Sequence, residues 1–192
     1  MQYNLEELRV KVGKFQNSTR FEHTIGVMYT AASLAMCHRE DIERSLLAGL
    51  LHDCAKGFTY DEQISLCKNY GIELSDDEKA CPDLIHAKLG EYLAKTDYSV
   101  SEQAVLDAIR WHTTGRPNMT TLEKIIYIAD YIEPNRNKAP NLAEIRHLAY
   151  QSIDECVLVI SEATLGYLRA RGGVIDKMTE ETYLYYKELL EK

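Results

Sequence analysis

Serine or threonine followed three residues later by glutamate recurs along this chain, at Thr19…Glu22, Thr59…Glu62, Ser99…Glu102 and Thr120…Glu123. Each spacing is a capping box. The hydroxyl can serve one orphan backbone N–H of a helix start and the carboxylate another. These signals divide the chain into helices. The first runs from Thr19 to about Met36, the second from Thr59 to Gly71, the third from Ser99 to near Gly115, and the fourth from Thr120 to Glu133, before Pro134. Asp41 suits the cap of Ile42 to His52, and Pro82 suits the first turn of a helix through about Lys95. Asn141 opens a long segment ending at Gly172-Gly173, and Thr179 opens a short terminal helix. Apolar residues agree with the helical period: Phe21, Ile25, Met28, Ala32 and Ala35; Leu46, Leu47, Leu50 and Leu51; Leu122, Ile125, Ile126 and Ala129. No convincing period-two stretch appears. The expected fold is an all-α globule in one domain, with a core over about 18–134, a linker near 134–141 and a C-terminal helical part over about 141–192 that packs on the same core.

The charge argues against some functions. A net charge of -8 over 192 residues makes non-specific nucleic-acid binding a poor reading, so an anionic substrate needs a local basic patch. The longest apolar stretch, near Leu46 to Leu51, is too short to cross a membrane. The N-terminus has no apolar signal region. The five cysteines form no CxxC pair, and free thiols fit a reducing cytoplasm.

Chemistry must come from a few residues in combination. His52 and Asp53 are adjacent at the end of the apolar helix in LLAGLLHDCAK. Successive helical side chains point about 100° apart, yet both can reach an ion beyond the helix end. An acid in the last turn opposes the helix dipole and invites a compensating cation. The bland reading is a charged C-terminal turn. His23 lies one turn after Arg20 and precedes a small-residue face of Gly26, Thr30, Ala31 and Ser33; it also reads as a core-edge histidine. Asp130, flanked by Ile128, Ala129, Tyr131 and Ile132, is expected to be partly buried and to need a partner, which either a metal or an arginine supplies. His86 and His112 follow apolar residues and are accompanied by Lys88, Arg110 and Arg116, which could neutralise phosphate; all of these also read as solvent-edge residues. His38 reads as surface. Glu144-x-x-His147 is the sole Glu-x-x-His pair, where a di-iron bundle needs two; Glu144 also reads as the third residue of a helix capped by Asn141. Tyr183, Tyr185 and Tyr186 read as packing, with a homodimer surface as the alternative.

Taken together, the order His23…His52-Asp53…Asp130 resembles the HD-domain metal-dependent phosphohydrolase superfamily. The strings RxxH at 20–23, HDxxK at 52–56, HAKLG at 86–90, WHTTGRP at 111–117 and LEKIIYIADYIEPNR at 122–136 resemble its bacterial YqeK-like branch. The resemblance implies an HD-domain helical bundle and symmetrical hydrolysis of diadenosine tetraphosphate to two ADP. It also implies His23, His52, Asp53 and Asp130 as metal ligands. A mixed nitrogen and oxygen set suits Fe, Mn or Zn better than Mg or Ca, and iron is the metal the resemblance implies. Asp53, Lys56, His86 and His112 are the candidate catalytic residues, and Arg20, Thr113 and Arg136 join them, with His23 and Asp130, as nucleotide contacts. A single ion is expected, because no further carboxylate accompanies His86 or His112 in sequence; a second ion on those two histidines is the competing assignment. Rival functions are an HD phosphohydrolase of nucleoside monophosphates, deoxynucleoside triphosphates or guanosine tetraphosphate, and a non-catalytic nucleotide-sensing HD module.

Overall fold

A computed structural model describes residues 3–172 and 174–191, and every regular element among them is helical. The helices are α1 (Leu5–Gly13), α2 (Ser18–His38), α3 (Ile42–Leu51), α4 (Tyr60–Asn69), α5 (Asp76–Ala80), α6 (Ile85–Thr96), α7 (Gln103–Trp111), α8 (Thr121–Ile132), α9 (Leu142–Ala149), α10 (Ile153–Arg171) and α11 (Lys177–Leu190). A single 3-10 turn, Pro82–Leu84, leads into α6.

The capping chemistry accounts for most starts. Thr59 and Thr120 form the expected boxes with Glu62 and Glu123, and Asp41 accepts from Arg44 N. A third box, Ser75 with Glu78, opens α5, a helix not anticipated above; α1, capped by Asn4, is likewise additional. Other expectations are corrected. Asn17, not Thr19, caps α2 by accepting from Arg20 N. Ser99 adopts a left-handed φ of 57° and caps nothing, so α7 starts four residues later without a side-chain cap. Pro82 begins the 3-10 turn, and the α-helix follows it. The long segment after Asn141 is two helices, α9 and α10, broken at Tyr150–Ser152; Asn141 has a φ of 56° and makes no side-chain cap. The terminal helix is capped by Asp176, which accepts from Met178 N and Thr179 N. Gly172 follows α10 with a φ of 74°; its neighbour Gly173 lies outside the described residues.

The centre of the fold is the pair α2 and α3, with α7 and α8 packed against both or one of them and α6 against α7. Gly49 allows the closest approach: a Cβ there would sit 2.8 Å from Met28 Cα, so a larger residue would push α3 off α2. Leu47, Leu50 and Leu51 are at most 2% exposed; each such side chain contributes about 1.5–3 kcal/mol by leaving water. Their helix is thereby fixed, and the residues just past its end inherit that rigidity. On the outside, α9 and α10 pack on α8, and α11 packs on α10. Tyr186 of α11 is fully buried and accepts a hydrogen bond from Met119 N, while Tyr185 donates to Asn118, so two of the three clustered tyrosines serve packing. The cysteines are all free thiols. No described helix is long and apolar enough to cross a membrane.

Candidate metal centre

Two helices end in the same device. His52 is the C-cap of α3 and His112 the C-cap of α7. Helix ends leave carbonyls without partners. His52 Nδ1 donates to Gly49 O at 2.7 Å, and His112 Nδ1 donates to Ile109 O at 2.8 Å. With Nδ1 carrying the proton, a neutral ring turns the lone pair of Nε2 away from its own helix. Both Nε2 atoms face Asp53, and both rings are essentially inaccessible to solvent.

Asp53 is 1% exposed and stands between two groups of nitrogen atoms. Its Oδ2 lies 3.6 Å from His52 Nε2, 4.0 Å from His23 Nε2 and 3.2 Å from the Arg20 guanidinium. Its Oδ1 lies 3.4 Å from His86 Nε2, 3.5 Å from His112 Nε2 and 3.4 Å from Lys56 Nζ. Asp130 approaches from α8, with Oδ1 3.0 Å from His23 Nε2 and 3.9 Å from His52 Nε2. Arg136 holds the same oxygen at 2.6 Å and donates to the Asp130 carbonyl. Of the partners left open for Asp130, the arginine is present, and the same carboxylate also lies beside histidine nitrogens that could share a metal with it. Gln16 steadies the turn from below, donating to the Asp53 carbonyl at 3.2 Å and accepting from Thr24 at 3.0 Å.

The electrostatics follow from this crowding. Burial alone would raise the Asp53 carboxyl, but the neighbouring His52 imidazole and the Lys56 charge outweigh it and hold the group well below the usual carboxylate range. Asp130 behaves alike: burial raises it, and the close approach of His23 together with His52 and the Arg136 charge outweighs this and lowers it. Burial pushes the His52 imidazole down to about 4, so it is neutral at physiological pH. Burial and then the Lys56 charge lower His86 as well, which favours its neutral ring. Its Nε2 is 3.1 Å from His112 Nε2, and Thr113 Oγ1 sits 3.3 and 3.1 Å from these two atoms.

Within this cluster, three buried atoms have no hydrogen-bond partner among the described residues despite the density: His23 Nε2, His52 Nε2 and Asp53 Oδ1. Unpaired buried polar atoms are costly. They lie in one crowded cluster, and divalent cations could satisfy them. Donor atoms within 4.8 Å of one another group as His23, His52 and Asp130, and as His52, Asp53 and His112. The residues thus fit a metal. The second group removes the footing for expecting one ion, because Asp53 itself supplies the carboxylate that His86 and His112 lack in sequence.

Some candidates lie elsewhere. Lys88 and Arg110 both pair with the buried Glu78, at 2.8 Å each, and Arg116 pairs with Glu123 at 2.6 Å, so these cations are engaged within the fold. His38 is half-buried and not a surface residue, donating from Nε2 to Ala149 O at 2.6 Å. His147 is bonded to Gln151 on the outer face, away from the cluster. Sequence reasoning missed Glu133, which is 1% exposed and bonded to His23; its one signal was an acid directly before Pro134 at a helix end. A cavity of about 210 Å³ opens beside Thr113, walled by Leu84, Ala87, Trp111, Thr114, Asp176 and Met178.

The HD domain family matches residues 20–135, a span holding His23, His52, Asp53, His86, His112 and Asp130. The chain belongs to the HD domain family. Over 94% of its length this HD domain is 37% identical to the symmetrical bis(5'-nucleosyl)-tetraphosphatase of Bacillus subtilis, covering 96% of that protein. A protein of the same name from Halalkalibacterium halodurans is 37% identical over 85% of the chain and 87% of its own. The crystal structure of a predicted HD superfamily hydrolase involved in NAD metabolism from Clostridium acetobutylicum superposes with a TM-score of 0.93 at 37% identity, covering 97% of this chain and 98% of that one.

Proposed function

We propose that this HD domain cleaves diadenosine tetraphosphate symmetrically into two ADP molecules in the cytoplasm. The observation that carries a hydrolytic, metal-assisted reading is the clustering of donor atoms from His23, His52 and Asp130, and from His52, Asp53 and His112, among which His23 Nε2, His52 Nε2 and Asp53 Oδ1 are buried without a hydrogen-bond partner. The names borne by relatives of nearly equal length select the substrate, and free thiols suit a reducing compartment.

His23, His52, Asp53 and Asp130 would hold the ion. Their mixed donors suit Fe, Mn or Zn, and iron is the metal we propose. The chemistry supplied by a cation held there is Lewis acidity, which polarises a phosphoryl oxygen and acidifies water from a pKa of 15.7 toward ~7. Asp53 accepts a proton-bearing hydrogen bond from the attacking water and so orients it. Arg20 and Lys56, which border Asp53 while remaining partly open to solvent, take phosphate oxygens on that rim. Arg136 does the same beside Asp130. His86 and Thr113 donate to the phosphate chain, and the His86–His112 pair takes up a proton released by the attacking water and passes it to the departing ADP. Water adds across the central P–O–P linkage: one new P–O bond forms, the bridging P–O bond breaks, and the leaving oxygen ends as a terminal phosphate oxygen of ADP. The cavity beside Thr113 gives one nucleoside a recess next to the phosphates.

Incubation with diadenosine tetraphosphate should yield ADP as the sole product. A panel of nucleoside monophosphates, deoxynucleoside triphosphates, guanosine tetraphosphate and nicotinamide dinucleotides should be turned over far less well; preference for any of these would overturn the substrate assignment. His52→Ala or Asp53→Ala should abolish both metal retention and hydrolysis while circular dichroism stays helical. Full activity in either variant sinks the site.

A second reading has a specific observation behind it: Asp53 Oδ1 faces His86 and His112 together. Those three groups could hold a second ion. Metal analysis per chain decides; two tightly held ions would move His86 and His112 from phosphate contacts to ligands.

A further inference from the structure

The ring of His23 differs from its neighbours in what holds it. His52 and His112 turn Nδ1 to a backbone carbonyl, whereas His23 Nδ1 meets Glu133 Oε1 at 3.1 Å. Glu133 is 1% exposed, and among the described residues its ion-pair partner is His23 alone. A buried carboxylate with no lysine or arginine is expensive to keep, so its surroundings matter. Its other oxygen accepts the backbone N–H of Asn135 at 2.7 Å. On the α2 side, Gly26 provides the space: a Cβ there would collide with Glu133 Oε2. From α9, Arg146 donates to the carbonyls of Ile132, Glu133 and Arg136 at 2.8–2.9 Å, clamping the backbone that carries the carboxylate.

We infer that Glu133 is a positioning residue for metal binding, fixing the Nδ1–H tautomer of His23 and aiming Nε2 at the ion. The inference rests on the reading of His23 as a ligand. A carboxylate behind a ligating imidazole orients the ring and strengthens its donor atom, and removing such a partner weakens metal affinity by about 10–100-fold. Gly26 and Arg146 then act one step further out, by holding Glu133.

The test is a titration of the chelator-stripped full chain with Mn2+, followed by the electron paramagnetic resonance signal of the free ion. Glu133→Gln keeps the shape and removes the charge; its Kd should rise about 10–100-fold. Gly26→Ala, which displaces the same carboxylate without altering it, should also weaken binding. In a His23→Ala background, Glu133→Gln should add nothing, whereas general damage to the fold would add in both backgrounds. An unchanged Kd in Glu133→Gln, or full additivity with His23→Ala, overturns the inference. If Glu133→Gln does not fold, Gly26→Ala decides alone, and wild-type affinity there overturns it. Failure of the wild type itself to bind Mn2+ removes the metal reading and this inference with it; normal wild-type binding beside a normal Glu133→Gln removes only the inference.

Discussion

Glu78 shows how one buried side chain can absorb residues that sequence assigns to function. It accepts from Lys88 and Arg110 and closes the cap of its own helix through Ser75 N. Burial would raise its carboxyl, but these partners win and lower it from the ordinary value of 4.5. A depressed folded-state value means that the group stabilises the fold fully above about pH 4.5, and that this contribution fades as pH falls through the lower folded value. Glu78→Gln should cost about 1.5–3 kcal/mol at neutral pH, read by urea unfolding, and the gap from wild type should close on acidification below that range. A gap that stays constant with pH would exclude the mechanism. Lys88, Arg110 and Arg116 looked like phosphate contacts because proximity to a histidine in sequence is visible, while a carboxylate brought from another helix is not. Glu133 was overlooked for the converse reason: its partner His23 is on a different helix.

Helix starts were legible where the cap is local, as at Thr59, Thr120 and Asp41, because donor and acceptor lie within three residues. Ser99 carried the same letters and failed: its left-handed backbone is not the extended one a cap takes, and α7 starts only at Gln103. The break between α9 and α10 had no glycine or proline to announce it; the two helices instead turn to pack on α8. The approach of α2 to α3 sets the spacing between His23 and His52. Gly49→Ala should therefore act at this junction, costing about 1–3 kcal/mol through overpacking. Thermal unfolding should register the loss, and Mn2+ affinity should fall with it, because the two ligand-bearing helices are forced apart. An alanine tolerated at full stability and affinity would show that α3 can slide without disturbing the site.

At the scale of the molecule, the all-α fold and the convergence of His23, His52, Asp53 and Asp130 were accessible from pattern and resemblance. The double-sided role of Asp53 was not, since it depends on which way each carboxylate oxygen faces. The four groups come from α2, the turn after α3, and α8, so an ion held by them ties together segments distant in the chain. Such an ion binds only the folded state and should raise stability, by about 2.7 kcal/mol at a concentration 100 times its Kd. Differential scanning calorimetry with and without chelator should show the midpoint falling on metal removal; His52→Ala should lose that response. A wild-type midpoint indifferent to chelation would argue against a tightly held ion.

The gap at Gly26 has an evolutionary corollary. The absent side chain on α2 and the carboxylate of Glu133 fill one another's space, so neither position can change independently. Among sequences of this family, a residue larger than glycine at the position of Gly26 should occur together with a shorter or uncharged residue at that of Glu133. A correlated pair so far apart in the chain would be a historical record of a contact that holds one histidine in place.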